Sequence, residues 1–230
     1  MLARGDRGAM AKEAQEWLSL HGFEVSIDGI FGPATEQAIV RFQSRCHLPA
    51  AELGQVGRST WAYLRAPLIR ARSPASTAAR DYPDLVLLYA YQHHRWKPRE
   101  VGGANRGPWV RHYTRGYEGA VYKWCAGFVS TILAQAAQHA TRPPPLRFAL
   151  SCNALAAEAR AAGILVAEAS DAPQRGWLFL KRTGVREWHH VGIVIDAGPG
   201  WIETIEGNIG DAVGKRTRSL ASIDFIRIED

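Results

Sequence analysis

The sequence predicts an α+β protein in which helices come first and an antiparallel sheet follows. Apolar residues recur at helical spacing up to about residue 162, whereas the segments from Trp177 onward alternate in the manner of strands. With 230 residues, of which 47% are hydrophobic and 22% charged, the chain is long enough for one or two domains. This composition excludes a collagen, a disordered tail and a coiled rod.

Three short helices are predicted at the N-terminus. The first covers residues 9–20 around Trp17, and Gly22 ends it. The second begins at Pro33, because proline is favoured in the first turn of a helix. A third continues through Trp61. The pattern indicates a small bundle with one apolar stripe on each helix.

A loop motif occurs twice in this region. The segment Gly29 to Thr35 is echoed by Gly54 to Thr60, so the two copies are offset by 25 residues. Loop chemistry accounts for the echo by itself: the glycines permit the turn, one apolar side chain fills the core, and the threonine lies in the first turn of a helix.

Residues 2–66 resemble the peptidoglycan-binding domain 1 family, a three-helix wall-binding module, and residues 1–66 are predicted to form this domain. The resemblance rests on the LxxGxxG-like spacing, the segment IDGIFGPAT, the RFQ that follows it, and the second copy VGRSTWAYL. It implies that the wall polymer binds at the loop and helix of the first copy, with the candidate contacts Asp28, Gly29, Phe31 and Thr35. A purely structural role for any of them is the alternative, and the second copy lacks the Asp-Gly turn of the first.

Residues 67–80 are rich in Pro, Ser, Ala and Arg without a sustained period, which predicts an interdomain linker. The second domain then covers residues 81–230. Its predicted helices are one capped by Asp84, one that begins near Cys125, and one over residues 153–162. Its predicted strands cover residues 177–180, 190–195, 201–206 and 224–228.

Cys125 is the candidate nucleophile. It stands at a loop-to-helix junction, where the unpaired N–H groups and the positive end of the helix favour a thiolate over a thiol. A buried cysteine that packs as a small apolar residue is the alternative. Cys46 and Cys152 are expected to be structural, so their replacement by alanine should leave the chemistry intact.

His190 is the candidate general base. In WHHVGIVID it begins a strand on the less apolar face, while His189 is expected on the opposite face. Glu206 and Asn208 lie two residues apart on the next strand and are expected to project to one side. Either could orient the imidazole, and an ordinary half-buried histidine with a solvated carboxylate is the alternative.

The motifs KWCAGFVS, HHVGIVI and IEGN resemble those of the CHAP domain, a cysteine- and histidine-dependent amidohydrolase/peptidase of papain-like α+β fold. The stretch GANRGPWVRHY also resembles a segment that precedes the nucleophile in some CHAP domains. The resemblance implies that Cys125 is the nucleophile, His190 the base, Glu206 the orienting group, and Asn208 a second hydrogen-bonding partner. The implied activity is cleavage of an amide bond in peptidoglycan.

No cofactor or metal is expected. The segment from Tyr113 to Trp124 contains Glu118 as its one acid, too few oxygen ligands for a calcium loop. The pairs His93-His94 and His189-His190 match no common zinc spacing. The three cysteines are an odd number without C-x-x-C spacing, which argues against a disulfide framework and a structural zinc site.

The net charge of +6 favours an anionic partner. We expect peptidoglycan, with no nucleic acid and no membrane insertion, because no basic run, nucleic-acid motif or long apolar segment occurs. The N-terminus lacks the apolar stretch of a signal peptide, so we expect a cytoplasmic monomer. It would reach the wall after holin release, as a phage endolysin does, or through a secretion system, as an effector with an immunity protein does.

Two alternative functions remain at this point. One is a catalytically silent wall-binding protein whose second domain keeps the fold for recognition. The other is a basic nucleic-acid binder, which would show strongly salt-dependent retention on duplex DNA.

Overall fold

The computed structural model describes residues 1–75, 81–166 and 173–230, and it confirms the α+β class. Helices occupy most of the chain up to Ala161, and six strands follow. The helices are α1 (Ala9–Leu20), α2 (Pro33–Arg45), α3 (Arg58–Leu64), α4 (Ala66–Arg72), α5 (Tyr82–Arg95), α6 (Pro108–Tyr113), α7 (Cys125–His139) and α8 (Cys152–Ala161), with a 3₁₀ turn at Ala50–Glu52. The strands are β1 (Leu165–Val166), β2 (Leu178–Gly184), β3 (Glu187–Gly198), β4 (Trp201–Glu206), β5 (Gly214–Ser219) and β6 (Ile223–Ile226).

Two buried glutamines hold the repeated loops of the N-terminal helices. The Gln15 amide donates to Thr35 Oγ1 at 3.1 Å, and its oxygen accepts from the Gly29 N–H at 2.8 Å. Gln43 repeats this pattern in the second copy, with Thr60 Oγ1 at 2.9 Å. A buried amide needs its partners because an unpaired polar group in the interior is costly. The sequence echo therefore reflects a repeated hydrogen-bond pattern.

The residues directly after α3 differ from the prediction. Residues 67–72 were expected to belong to an irregular linker, but they form most of α4, with Ala71 fully buried. The Ala71 carbonyl accepts from Gln92 and from Gln135, both at 2.9 Å. Contacts with residues far along the chain, which local composition does not report, therefore determine this helix. The last five residues of the predicted linker lie outside the described residues.

The N-terminal helices pack against the rest of the protein through a buried ion pair. Glu16 on α1 is fully buried, and Arg111 on α6 donates to both of its carboxylate oxygens, at 3.2 and 2.5 Å. Beside this pair, the rings of Trp17 and Trp109 meet edge to face at 6.1 Å. A bidentate arginine–carboxylate contact fixes orientation as well as distance, so it holds α1 against α6.

Helix α5 begins earlier than predicted. Asp81, rather than Asp84, is its N-cap, and the Asp81 side chain accepts from the Asp84 N–H at 2.8 Å. Both aspartates fit the capping pattern, but Tyr82 and Pro83 continue the helix. None of the helices in the described ranges is long and apolar enough to cross a membrane.

The strands form one antiparallel sheet in the order β1-β6-β2-β3-β4-β5. Strands β1 and β5 were not predicted, since β1 has two residues and β5 reads as the polar run GKRTRS. Strand β3 lies between β2 and β4, and its residues Val191 to Ile195 are buried on both faces. This order places His190 on β3 beside the end of β4.

Candidate active site

Cys125 is the first residue of α7 and 4% exposed. Because a helix leaves its first N–H groups without intrahelical partners, the sulfur lies at a positive helix end. The residual exposure opens into a cavity of about 250 Å³. This cavity, called the catalytic cavity below, is lined by Glu100, Ala104, Asn105, Lys123, Cys125, His189, His190, Asn208 and Asp211.

His190 connects Cys125 to Glu206. Its Nε2 lies 2.7 Å from Glu206 Oε2. The imidazole also interacts with the Cys125 thiol, which lowers the pKa of Cys125 and raises the pKa of His190. Because Nε2 contacts the carboxylate, Nδ1 is the nitrogen left for the sulfur. Glu206 as an acceptor holds the proton on Nε2, which sets the tautomer and orientation of the ring.

Glu206 is fully buried at the end of β4. Arg218 on β5 donates to both carboxylate oxygens at 2.6 Å, and the Thr204 hydroxyl donates as well. Burial alone would raise the pKa of this carboxyl, but the hydrogen bonds from Arg218, His190 and Thr204 outweigh burial and lower the pKa to about 2. The carboxylate is therefore charged wherever the protein is folded at ordinary pH.

The local charges favour a thiolate–imidazolium pair. The hydrogen bond from Cys152, followed by that from His190, lowers the pKa of Cys125 despite its burial. Burial disfavours the imidazolium, yet the hydrogen bonds to Cys125 and Glu206 raise the pKa of His190 to about 9. A thiolate is the nucleophilic form of cysteine, so this arrangement prepares the sulfur for attack.

Cys152, which was expected to be structural, lies beside the candidate nucleophile. Its sulfur lies 3.8 Å from Cys125 Sγ, and it is the first residue of α8, as Cys125 is of α7. Two helix N-termini therefore converge on the pair of sulfurs. Ser151, directly before Cys152, is the N-cap of α8, and the Ser151 side chain accepts from the Ala154 N–H. This capping residue was the sequence signal that a helix begins at Cys152.

Asn208 does not share the strand face of Glu206. Strand β4 ends at Glu206, and Asn208 follows in a bend with a φ of 56°. Its side-chain amide donates to Asn105 Oδ1 at 2.9 Å, and both residues line the catalytic cavity. The alternation assumed for IEGN holds only while the backbone is extended, and the left-handed residue changes the direction of the side chain.

His189 was expected on the face opposite His190, but both line the catalytic cavity. A β-bulge explains the difference: Lys181 pairs with His190 and Arg182 pairs with Trp188, so His189 is an extra residue on β3. A bulge redirects a side chain and breaks the strict alternation of a strand.

Two segments of the chain match models of known families. Residues 113–208, which contain Cys125, His190, Glu206 and Asn208, match the model of the CHAP domain. Residues 7–64 match the model described as a putative peptidoglycan binding domain. Each match covers less than half of the chain.

The chain is also similar to a solved structure. No curated protein matches the chain. The solved structure is the crystal structure of Burkholderia AP3 phage endolysin, at 23% sequence identity and a TM-score of 0.26. The match covers 60% of this chain, and the chain spans 61% of the length of that endolysin.

A polar group upstream of Cys125 was missed by sequence reasoning. The Trp124 indole N–H donates to Glu100 Oε1 at 2.8 Å, and the Asn105 backbone N–H donates to Glu100 Oε2 at 2.5 Å. Glu100 thus joins the residue before Cys125 to the loop that carries Asn105. The GANRGPWV stretch contained Asn105, but nothing local indicated that Glu100 would contact it.

The candidate contacts of the peptidoglycan-binding domain are mostly interior. Phe31 is fully buried, Thr35 is 3% exposed, and Gly29 is buried in the turn held by Gln15. Asp28 is exposed, although its side chain accepts from Gln15 at 2.8 Å. The structure therefore does not place Phe31 and Thr35 where they would touch a polymer, because their side chains fill and tie the loop from inside.

Within the described ranges, no group of three or more His, Cys, Asp or Glu side chains could hold a metal ion. The acidic residue singled out in the sequence, Glu118, instead accepts from Arg111 at 2.6 Å and from Lys12 at 3.1 Å. Its pKa is lowered to about 2 because hydrogen bonds led by that from Arg111 overcome burial. It connects Lys12 on α1 to Arg111 on α6.

Proposed function

We propose that this protein hydrolyses an amide bond of peptidoglycan, either in the stem peptide or at the muramoyl-L-alanine linkage, through Cys125, His190 and Glu206. The observation that carries the proposal is the chain of contacts from the Cys125 sulfur to the His190 imidazole and on to Glu206 Oε2 at 2.7 Å. This chain opens into the catalytic cavity. It has the order that nucleophilic catalysis by cysteine requires.

The reaction begins with attack of the Cys125 thiolate on the carbonyl carbon of the scissile amide. The His190 imidazolium donates its Nδ1 proton to the leaving amine, and an acyl-enzyme remains. His190 then takes a proton from water, the resulting hydroxide attacks the thioester, and the carboxylic acid product leaves. Glu206 stays ionised throughout and stabilises the imidazolium.

The start of α7 supplies the stabilisation of the tetrahedral intermediate. The first backbone N–H groups of this helix have no intrahelical partners and lie beside the sulfur. A carbonyl oxygen that gains charge during attack on Cys125 is well placed to accept from them. Donors that are already oriented are worth about 3 kcal/mol each in comparable sites.

The substrate class follows from the pairing of a peptidoglycan-binding segment with a CHAP segment. The peptidoglycan-binding domain would raise the local concentration of enzyme on an insoluble polymer. The delivery route, an immunity partner and the monomeric state stay predictions.

The test compares Cys125→Ala with Cys46→Ala on purified sacculi. Cys46 is a half-buried cysteine in the N-terminal domain, so Cys46→Ala controls for the loss of a thiol. We expect wild type and Cys46→Ala to release muropeptides with new amine ends, and Cys125→Ala to bind sacculi without releasing any. His190→Ala should behave as Cys125→Ala does.

Mass spectrometry of the released muropeptides identifies the bond. Products that end in free lactyl groups would indicate a muramoyl-L-alanine amidase, and products cut within the stem an endopeptidase. Lysis by Cys125→Ala at the wild-type rate would contradict the mechanism. Binding of sacculi by wild type without any product would instead indicate a silent wall-binding protein.

A further inference from the structure

We propose that Cys125 and Cys152 form an oxidation site, in which hydrogen peroxide converts the nucleophile into a reversible disulfide with Cys152. The proposal rests on the two sulfurs and their surroundings. Only its consequence for activity depends on the proposed function.

The geometry places the two thiols close enough to join. The sulfurs are 3.8 Å apart, and a disulfide requires about 2.05 Å, so an approach of less than about 2 Å closes the bond. Both cysteines occupy the first helical position, where side chains are less confined by a preceding turn. The third cysteine, Cys46, belongs to the N-terminal helices and is not part of this pair.

Both cysteines are nearly buried, at 4% and 6% exposed, but Cys125 lines the catalytic cavity and Cys152 is not among the residues that line it. A molecule as small as hydrogen peroxide fits a cavity of about 250 Å³. Cys125 is therefore the sulfur expected to meet the oxidant, and Cys152, 3.8 Å away, is the resolving thiol.

The protonation states suit these two roles. The contact between the two sulfurs, 3.8 Å apart, lowers the pKa of Cys125, whereas the same contact and burial raise the pKa of Cys152, so Cys125 carries the thiolate character. Susceptibility to peroxide follows thiolate character, which again selects Cys125. The residue that reacts first is thus also the proposed nucleophile.

The chemistry balances in two steps. The Cys125 thiolate attacks one oxygen of hydrogen peroxide, the O–O bond breaks, and sulfenic acid forms while hydroxide leaves. The Cys152 thiol then attacks the sulfenic sulfur, the S–O bond breaks, and one water leaves with the proton of Cys152. Two thiols are oxidised to one disulfide, and one peroxide is reduced to water. A dithiol reductant reverses the change.

The test treats full-length Cys46→Ser protein with hydrogen peroxide and follows intact mass, peptide mass and activity. We expect the intact mass to fall by two hydrogens, and a peptide that joins Cys125 to Cys152 to appear. Muropeptide release should stop and return after dithiothreitol. In Cys46→Ser/Cys152→Ala, Cys125 should gain two or three oxygens, and dithiothreitol should restore none of the activity.

The protection of Cys125 by Cys152 is measured as the rate at which the Cys125 thiol is irreversibly lost. Irreversible loss of the Cys125 thiol should be on the order of tenfold slower when Cys152 is present. Should Cys152→Ala fold poorly, Cys152→Ser serves as the second variant, with thermal melting as the check. Sulfinic Cys125 beside a free Cys152 thiol in the Cys46→Ser protein would overturn the proposal. The linked peptide appears whether or not the protein hydrolyses sacculi, so failure of the function and failure of the oxidation site give different results.

Discussion

Replacement of Glu206 by glutamine tests the electrostatics of the proposed site. His190 has a pKa of about 9 against an ordinary 6.5, so the protein favours its imidazolium form by about 3 kcal/mol. Hydrogen bonds to Cys125 and to Glu206 both contribute to this raised pKa. Glutamine keeps the shape but removes the charge 2.7 Å from Nε2, and it leaves the Arg218 cation unbalanced. We therefore expect the pKa of His190 to fall by at least about one pH unit.

The sign of the effect on activity follows from the mechanism. The imidazolium donates the proton to the leaving amine, so activity is present below the pKa of His190 and is lost as pH rises through it. In the wild type the alkaline limb of the pH profile should lie near pH 9. In Glu206→Gln it should lie near or below about pH 8, with a lower maximum. The assay is the initial rate of muropeptide release from sacculi between pH 5 and pH 10.

Glu203→Gln is the matched control, because Glu203 lies on the same strand with 38% of its side chain exposed and Lys215 at 3.8 Å. It should leave the alkaline limb near the wild-type position. The pH dependence of Cys125 alkylation by iodoacetamide provides a measurement without substrate. An alkaline limb in Glu206→Gln that coincides with the wild type, in a variant that melts normally, would refute the role of Glu206.

Three further predictions concern packing and pH. A Cβ at Gly192 would lie 2.7 Å from Glu206 Cγ and 2.7 Å from the buried Phe179 ring, so Gly192→Ala should lower both muropeptide release and the melting temperature; wild-type values of both would contradict this. Arg111→Ala removes both hydrogen bonds to the buried Glu16 carboxylate and leaves it with Lys12 at 3.6 Å, so it should cost about 3 kcal/mol in urea unfolding, whereas a cost below about 0.5 kcal/mol would show the Arg111 contact to be dispensable. Burial lowers the pKa of His93 from 6.5 to about 4, so the unfolded chain binds more protons between these pH values and stability should fall as pH drops through that window. His93→Gln should flatten this slope, and an unchanged slope would exclude His93 as its source.

Much of the fold was accessible from local patterns. The helices α1, α2 and α7 begin where the sequence predicted, because glycine, proline and the spacing of apolar residues act within a few neighbours. The strands β3 and β4 were identified by alternation for the same reason. Helix α4 was missed because its stability comes from Gln92 and Gln135, which are distant in sequence.

The candidate site divides in the same way. Cys125, His190 and Glu206 were selected from motifs, and the structure brings these three together. Asn208 was selected with equal weight, but a left-handed backbone turns it toward Asn105. Arg218 was not considered, since its strand reads as a polar surface segment and its contact with Glu206 requires the pairing of β4 with β5.

From residue order alone came the α+β class, the two family resemblances and the identity of the proposed nucleophile, base and carboxylate. These depend on short-range periodicity and on motifs that lie within about ten residues. Tertiary packing decided which group orients His190, how Arg218 holds Glu206, and that Cys152 lies against Cys125. The physical reason is that α7 and α8 meet through tertiary packing. The two cysteines are 27 positions apart in the sequence, and local patterns over that distance do not report how the two helix ends are placed.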